Sequence, residues 1–192
     1  MPEILMLYST VDGHTANICQ RIAQTLLAKG RSVRVKNMVD CAAEDLRTTD
    51  VIVIGASIRY GHHRPDVGAF IAQHRALLAQ RATAFFSVNV VARKAGKDAP
   101  ETNPYLQKFL RQVAWKPALQ AVFAGRIDYP KCGFWDRHMI RLIMYLTHGP
   151  TDTSKAYEFT DWMQVDAFGY QLNALAESCG VGSDGCGADA VK

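Results

Sequence analysis

The run Val51-Ile52-Val53-Ile54-Gly55-Ala56 is apolar at every position. A strand with one wet face alternates apolar and polar side chains, so an unbroken short run reads as a central strand covered on both sides. Ile4-Leu5-Met6-Leu7-Tyr8 reads the same way. Helical stripes stand between such runs: Ile18, Ile22, Ala23 and Leu26, then Val67, Phe70, Ile71, His74, Leu77 and Leu78. The first helix runs from about Gly13 to Lys29 and stops at Gly30, and Ser32 to Asn37 alternates as a more peripheral strand. Ala84 to Val90 reads as a fourth strand, Tyr105 to Trp115 as a helix, Ala121 to Gly125 as a fifth strand and Asp161 to Ser178 as the closing helix. Strand–helix alternation without internal repeats predicts an α/β three-layer sandwich with a five-stranded parallel sheet. Ligands of such sheets bind beyond the carboxyl ends of the strands, near the point where the strand order reverses.

The 192 residues suit one domain with an insertion, and 48% hydrophobic with 21% charged residues is the balance of a folded soluble chain. No apolar run approaches a membrane span and the N-terminus lacks the pattern of a signal peptide, so the chain is expected on the cytoplasmic side. Five cysteines (19, 41, 132, 179 and 186) without a C-x-x-C pair point to reduced thiols and away from zinc or a disulfide framework. Cys179 and Cys186 bracket a Gly-rich stretch, and 179–192 is expected to be a disordered tail. The net charge of +4 is unevenly spread. Residues 91–147 carry ten Lys or Arg against four acids, and residues 148–192 carry two against seven. The middle of the chain is therefore the part to meet an anionic partner, whether membrane headgroups or a carboxylated substrate. Nothing matches an RNA-binding signature or a recognition helix, and no nucleic-acid partner is expected.

Three loops follow strand ends. In the first, Ser9-Thr10-Val11-Asp12-Gly13-His14-Thr15, hydroxyls gather around one glycine at a helix N-terminus. Unpaired amides at the positive end of a helix dipole bind phosphate, and Ser9, Thr10 and Thr15 add O–H donors. No lysine is present and G-x-x-x-x-G-K-[ST] is absent, so the loop suits a permanently bound monophosphate such as that of FMN rather than a nucleoside triphosphate. The same residues also fit an ordinary capped turn. In the second loop, Ser57 to His63, Tyr60 and Ile58 can shield a planar ring, Ser57 and Gly61 bring backbone amides close to it, and Arg59 can face negative charge. His62-His63-Arg64 reads either as part of that site or as a solvated loop edge. The third is Asn89-Val90-Val91-Ala92-Arg93-Lys94.

Taken together, these loops resemble those of the flavodoxin-like FMN proteins. Met6-Leu7-Tyr8-Ser9-Thr10-x-x-Gly13-x-Thr15 matches the flavodoxin phosphate loop, with Cys19 where alanine is usual and Asp12 placing a carboxylate inside the loop. Asp12 is expected to point away from the phosphate, since like charges repel. The resemblance narrows on Val53 to His62, Ser87 to Lys94, Thr102-Asn103-x-Tyr105, Lys108-Phe109-Leu110, Trp135-Asp136-Arg137-x-Met139-Ile140-x-Leu142-Ile143-Met144, Thr151-Asp152-Thr153 and Thr160-Asp161-Trp162. These look like the menaquinone-dependent protoporphyrinogen IX dehydrogenases. That resemblance runs from about Met6 to Phe168. It implies a flavodoxin-like FMN domain over residues 3–178 and oxidation of protoporphyrinogen IX to protoporphyrin IX in heme biosynthesis. It also implies a membrane quinone (menaquinone or ubiquinone) as acceptor and peripheral residence on the inner membrane's cytoplasmic face. The implied FMN contacts are Ser9, Thr10, Val11, Asp12, Gly13, His14 and Thr15; Ser57, Ile58, Arg59, Tyr60 and Gly61; and Ser87, Val88, Asn89, Val90, Ala92 and Arg93. No metal is expected. The preferred quinone and the number of subunits stay open. An NAD(P)H:quinone reductase and a non-catalytic electron carrier of the same fold are the alternatives.

Residues 126–160 exceed the usual link between a fifth strand and a last helix. Their centre, about Phe134 to Thr147, reads as an amphipathic helix with Trp135, Met139, Leu142, Ile143 and Leu146 on one face. Arg137 and Arg141 lie four apart on another side. One reading packs this helix on the sheet with two solvated arginines. The other makes Trp135, Arg137, Met139 and Arg141 part of a tetrapyrrole site or a membrane contact. No general base is assigned; His62, His63, Asp136 and His148 are candidates by type alone.

Overall fold

The computed structural model describes residues 2–181. In chain order the elements are β1 (Glu3–Ser9), α1 (His14–Ala28), β2 (Ser32–Asn37), α2 (Ala43–Arg47), β3 (Val51–Arg59), β4 (His62–His63), α3 (Pro65–Gln73), α4 (Arg75–Leu78) and β5 (Ala82–Val88). Then come α5 (Pro104–Val113), β6 (Leu119–Phe123), β7 (Arg126–Asp128), α6 (Phe134–Leu146), β8 (Ala156–Glu158) and α7 (Trp162–Val181). The main sheet has the order β2-β1-β3-β5-β6, with every pair on that path parallel. The chain leaves β1 outward to β2 and returns past it to β3, so the order reverses between β1 and β3.

Alternate side chains of each central strand feed opposite cores, as a period of two requires. Ile4 and Met6, Val51 and Val53, and Ala84 and Phe86 pack under α1 and α7. Leu5 and Leu7, Ile52 and Ile54, and Phe85 pack under α3, α4 and α5. Gly55 on β3 is a close-approach position, because a Cβ there would fall within the Phe86 ring of the neighbouring strand. A third, small core of Ile127, Tyr129 and Met144 lies under α6.

Four features depart from the sequence expectation. First, β3 runs on to Arg59 and turns back through Tyr60 (φ +50°) and Gly61 (φ +81°) to pair antiparallel with β4, Ile58 against His63 and Arg59 against His62. Both turn residues lie in the left-handed region, which is the geometry that joins tightly paired strands. Second, the helix expected over Val67–Leu78 divides at His74 into α3 and α4. Third, the insertion is closed at its base by β7 and β8, antiparallel with Ile127 opposite Tyr157. Fourth, α7 continues past Ser178 to Val181. Val165, Phe168, Leu172 and Ala176 form its buried stripe, and Cys179 extends it by three residues with its thiol on the Leu175 carbonyl at 3.2 Å. The start of the expected tail is therefore helix, while Cys186 and the other residues beyond 181 lie outside the described residues.

Candidate active site

The first loop is built around Gly13, whose φ of +80° is disfavoured for any residue with a Cβ. Thr10 Oγ1 accepts from the Gly13 amide at 3.0 Å, and the Gly13 carbonyl accepts the first helical bond from Asn17 at 3.3 Å. Ser9 and Thr15 flank this turn, 3% and 0% exposed, and their hydroxyls have no hydrogen-bond partner. Ser57 Oγ, on β3, is buried without a partner as well. An orphaned buried hydroxyl costs about 1–3 kcal/mol, so Thr15 and Ser57, which line one crevice, mark where a ligand rich in acceptors belongs, while Ser9 and Gly13 do not line it. Thr10, Thr15 and Ser57 line a cavity of about 60 Å³ there. The donor set fits a phosphate.

His14 opens α1 and is held on the other side. The Thr160 hydroxyl donates to the Ala124 carbonyl at 2.8 Å, so it accepts from His14 Nε2–H at 2.7 Å. Burial lowers the pKa of His14 and favours the neutral ring. Trp162 meets the ring edge-on at 5.9 Å. The Thr160-Asp161-Trp162 motif thus fastens the return of the insertion to the first loop. Asp12 faces solvent, 3.7 Å from Arg59.

The small cavity opens into one of about 490 Å³ beneath α6, and Asp12, Ile58, Arg59, Asn89, Val90 and Arg126 line both. Ile127, Met139, Ile140, Ile143 and Met144 give the larger cavity apolar walls; Tyr60, Gly61 and Tyr105 stand at its other side. Helix α6 is held over it by polar clamps. Asp136, in its first turn, accepts hydrogen bonds from Arg59 and Tyr60. Arg137 donates to the carbonyls of Tyr129, Pro130 and Cys132. Arg93 reaches Thr147 at the far end, at 3.1 Å to its hydroxyl and 3.2 Å to its carbonyl.

These clamps set the rotation of α6. Its buried residue is Met144, with Ile140 half-buried one turn earlier, whereas Trp135, Leu142 and Leu146 face solvent. The face expected to pack is thus largely the outer one. Met139 and Ile143 sit between the two faces and line the cavity. Among the four expected substrate contacts the structure brings Met139 to the cavity. Trp135 points away, Arg137 is consumed by backbone carbonyls, and Arg141 lies exposed beside Leu142 and Tyr145 on a separate cleft.

The third loop is a buried polar network. His63 Nε2 lies 2.9 Å from Ser87 Oγ, Asn89 Oδ1 accepts from the Ala92 amide at 3.0 Å, and Asn103 Nδ2 donates to Asn89 Oδ1 at 3.4 Å. Val88, Asn89 and Val90 reach the cavities, but Ser87, Ala92 and Arg93 do not. Ser87 is engaged by His63, Ala92 is turned into the core, and Arg93 is tied to α6. Of the base candidates, His63 packs 4.4 Å from the Phe109 ring, and burial pushes its pKa down to about 4. His62 and His148 are exposed. None of His62, His63, Asp136 and His148 lines the cavity under α6.

Gly125 and Arg126 were not anticipated, although they follow β6 and the rule of carboxyl strand ends applies to that strand too. Cys132 and Asp128 also line the larger cavity without a sequence signal of their own, and Tyr105 and Ile140 entered only through longer motifs. Among the described residues no group of His, Cys, Asp and Glu could hold a metal ion.

Residues 5–154 match the family described as Flavodoxin domain. The chain is 43% identical over 176 residues to the protoporphyrinogen IX dehydrogenase [quinone] of Leishmania major, covering 91% of this chain and 76% of that protein. It is 41% identical over 175 residues to the protein of the same name in Escherichia coli strain K12, covering 91% and 97%. A flavodoxin from the domain Archaea superposes with a TM-score of 0.51 at 17% identity, over 93% of this chain and 99% of the other, which is a likeness of fold.

Proposed function

Because the chain belongs to the flavodoxin-domain family of quinone-dependent protoporphyrinogen IX dehydrogenases, and is an oxidoreductase that binds a flavin, we propose that it holds FMN in the loop-lined cavity and oxidises protoporphyrinogen IX beneath α6. The observation that carries this reading is the continuity of the two cavities, one ending in unpartnered hydroxyls and the other walled by apolar side chains. The conversion to protoporphyrin IX removes six hydrogens in three two-electron rounds, and three quinones become three quinols. A flavin supplies the two-electron relay between tetrapyrrole and quinone that no side chain provides. One phosphate-type pocket among the described residues, and no second Gly-rich dinucleotide turn in the sequence, favour the mononucleotide.

Thr15 and Ser57 donate to the phosphate, and the amides at the start of α1 add their dipole. Arg59 is shared between Asp12 and Asp136, which moderates its charge beside the ring system. Met139 and Ile143 form an apolar mouth that accepts a flat macrocycle. Asp12 and Asp128 line the larger cavity, but each faces an arginine, Arg59 at 3.7 Å and Arg126 at 2.9 Å, so the pyrrole protons leave to solvent at the open edge of the cavity.

Menaquinone or ubiquinone is the acceptor, and the reaction belongs to heme biosynthesis. The protein sits peripherally on the cytoplasmic face of the inner membrane. Support for that placement comes from the outer face of α6, where Trp135 is 80%, Tyr145 73% and Leu146 67% exposed. Thirteen helical residues span about 20 Å, and none of the described helices is long and apolar enough to cross a membrane. Such a helix lies along a lipid surface.

The test is anaerobic incubation of the FMN-loaded protein with protoporphyrinogen IX, with and without a menaquinone analogue, following porphyrin fluorescence. Fluorescence that rises only with quinone supports the reading. Silence with flavin bound removes it, and NADPH-driven quinone reduction would then establish the reductase instead.

A further inference from the structure

A second cavity borders the larger one. Between α3 and α5, below the β3–β4 turn, runs a groove of about 320 Å³. Gly68 and Ala72 of α3 keep it open against Phe109 of α5, and Arg64, Arg75 and Lys108 stand around it. No carboxylate lines it. Gly61 and Tyr105 line both this groove and the apolar cavity under α6, so the two meet at the β3–β4 turn.

The cations around the two spaces differ in what they already hold. Arg59 is paired with Asp12 and Asp136, and Arg126 with Asp128 at 2.9 Å. Arg75 donates to the carbonyls of Val113 and Ala114 at the end of α5. Arg64 reaches the Thr10 carbonyl at 3.3 Å and Asp66 at 3.2 Å. Lys108 takes part in none of the ion pairs among the described residues. Arg75 is likewise in no ion pair among the described residues but is committed to two carbonyls, so Lys108 is the uncommitted cation of the groove, three residues on from Tyr105 in α5.

A tetrapyrrole of the protoporphyrin series is an apolar macrocycle bearing two propionates on adjacent pyrroles. Both are ionised at neutral pH, and an ionised carboxylate is strongly disfavoured among apolar walls. We propose that the α3–α5 groove is the propionate subsite. The macrocycle stays beneath α6, the carboxylates pass Gly61 and Tyr105, and Lys108 pairs with them, with Arg64 behind it. This inference rests on the substrate reading given above.

The experiment compares protoporphyrinogen IX with its dimethyl ester, which keeps the macrocycle and loses both charges. Rates are measured anaerobically with the FMN-loaded full chain, a menaquinone analogue and detergent. An exposed carboxylate–ammonium pair corresponds to roughly two- to fivefold in kcat/KM, so the wild type should prefer the acid by about that factor. In Lys108→Gln the ratio should fall to near unity, and in Lys108→Glu the ester should be preferred. Lys108 is exposed, so neither change threatens the fold, and flavin absorbance confirms loading. An acid-to-ester ratio that is the same in all three proteins overturns the subsite alone. Wild-type protein that oxidises neither compound overturns the substrate reading and the subsite with it.

Discussion

Thr15 and Ser9 are buried without partners, which stores an unfavourable term in the protein until an acceptor arrives. Thr15→Val keeps the shape and deletes the hydroxyl. It should weaken FMN binding roughly tenfold, corresponding to about 1.4 kcal/mol, while the flavin-free protein becomes no less stable. Fluorescence titration and thermal melts of the flavin-free form read the two effects separately. His63 gives a pH signature. Its folded pKa of about 4 lies below the ordinary 6.5 because burial disfavours the imidazolium. The unfolded chain therefore binds the proton more readily, and the contribution is complete above pH 6.5 and lost as pH falls toward 4. The loss is about 3 kcal/mol at most. Urea unfolding at pH 7 and pH 4.5 should show a steeper loss in the wild type than in His63→Gln. The turn at the start of α1 was legible because one glycine among hydroxyls declares its geometry by residue type. Ser87 and Arg93 were not, because their partners, His63 and Thr147, stand 24 and 54 residues away in sequence.

At the scale of elements, α6 shows what periodicity can and cannot report. Its bounds were legible, since the expected Phe134–Thr147 became Phe134–Leu146. Its orientation was not, because apolar residues occupy both sides and the rotation is fixed by Asp136 and Arg137 instead. The β7–β8 pairing was also invisible, as three-residue strands carry too little pattern. That pairing makes a deletion informative. Removing residues 131–150 spares β7 and β8 and should leave FMN bound with an unchanged flavin spectrum. Oxidation of protoporphyrinogen should be abolished; full activity in the deletion protein would remove α6 from the substrate site.

Across the whole molecule, a parallel sheet of five strands followed from strand–helix alternation, whereas the order β2-β1-β3-β5-β6 is a matter of tertiary pairing, and the candidate site falls where that order reverses. The basic centre of the sequence contributes Arg126 and Lys108 to the cavities and Arg141 to the outer side of α6. If the outer face of α6 rests on lipid, replacing Trp135 and Leu146 together with Ser should reduce co-sedimentation with anionic vesicles by about tenfold, as two buried apolar side chains contribute at least that much. Turnover with a water-soluble quinone should persist. Equal sedimentation of the two proteins would place the membrane contact elsewhere. The β7–β8 clamp has an evolutionary reading as well. The Phe159 amide bonds the Gly125 carbonyl at 3.1 Å, so the inserted chain leaves and rejoins the scaffold at one spot. A segment anchored in that way is a cassette. It can be exchanged without re-threading the sheet, because entry and exit meet at one spot and the five strands keep their pairing.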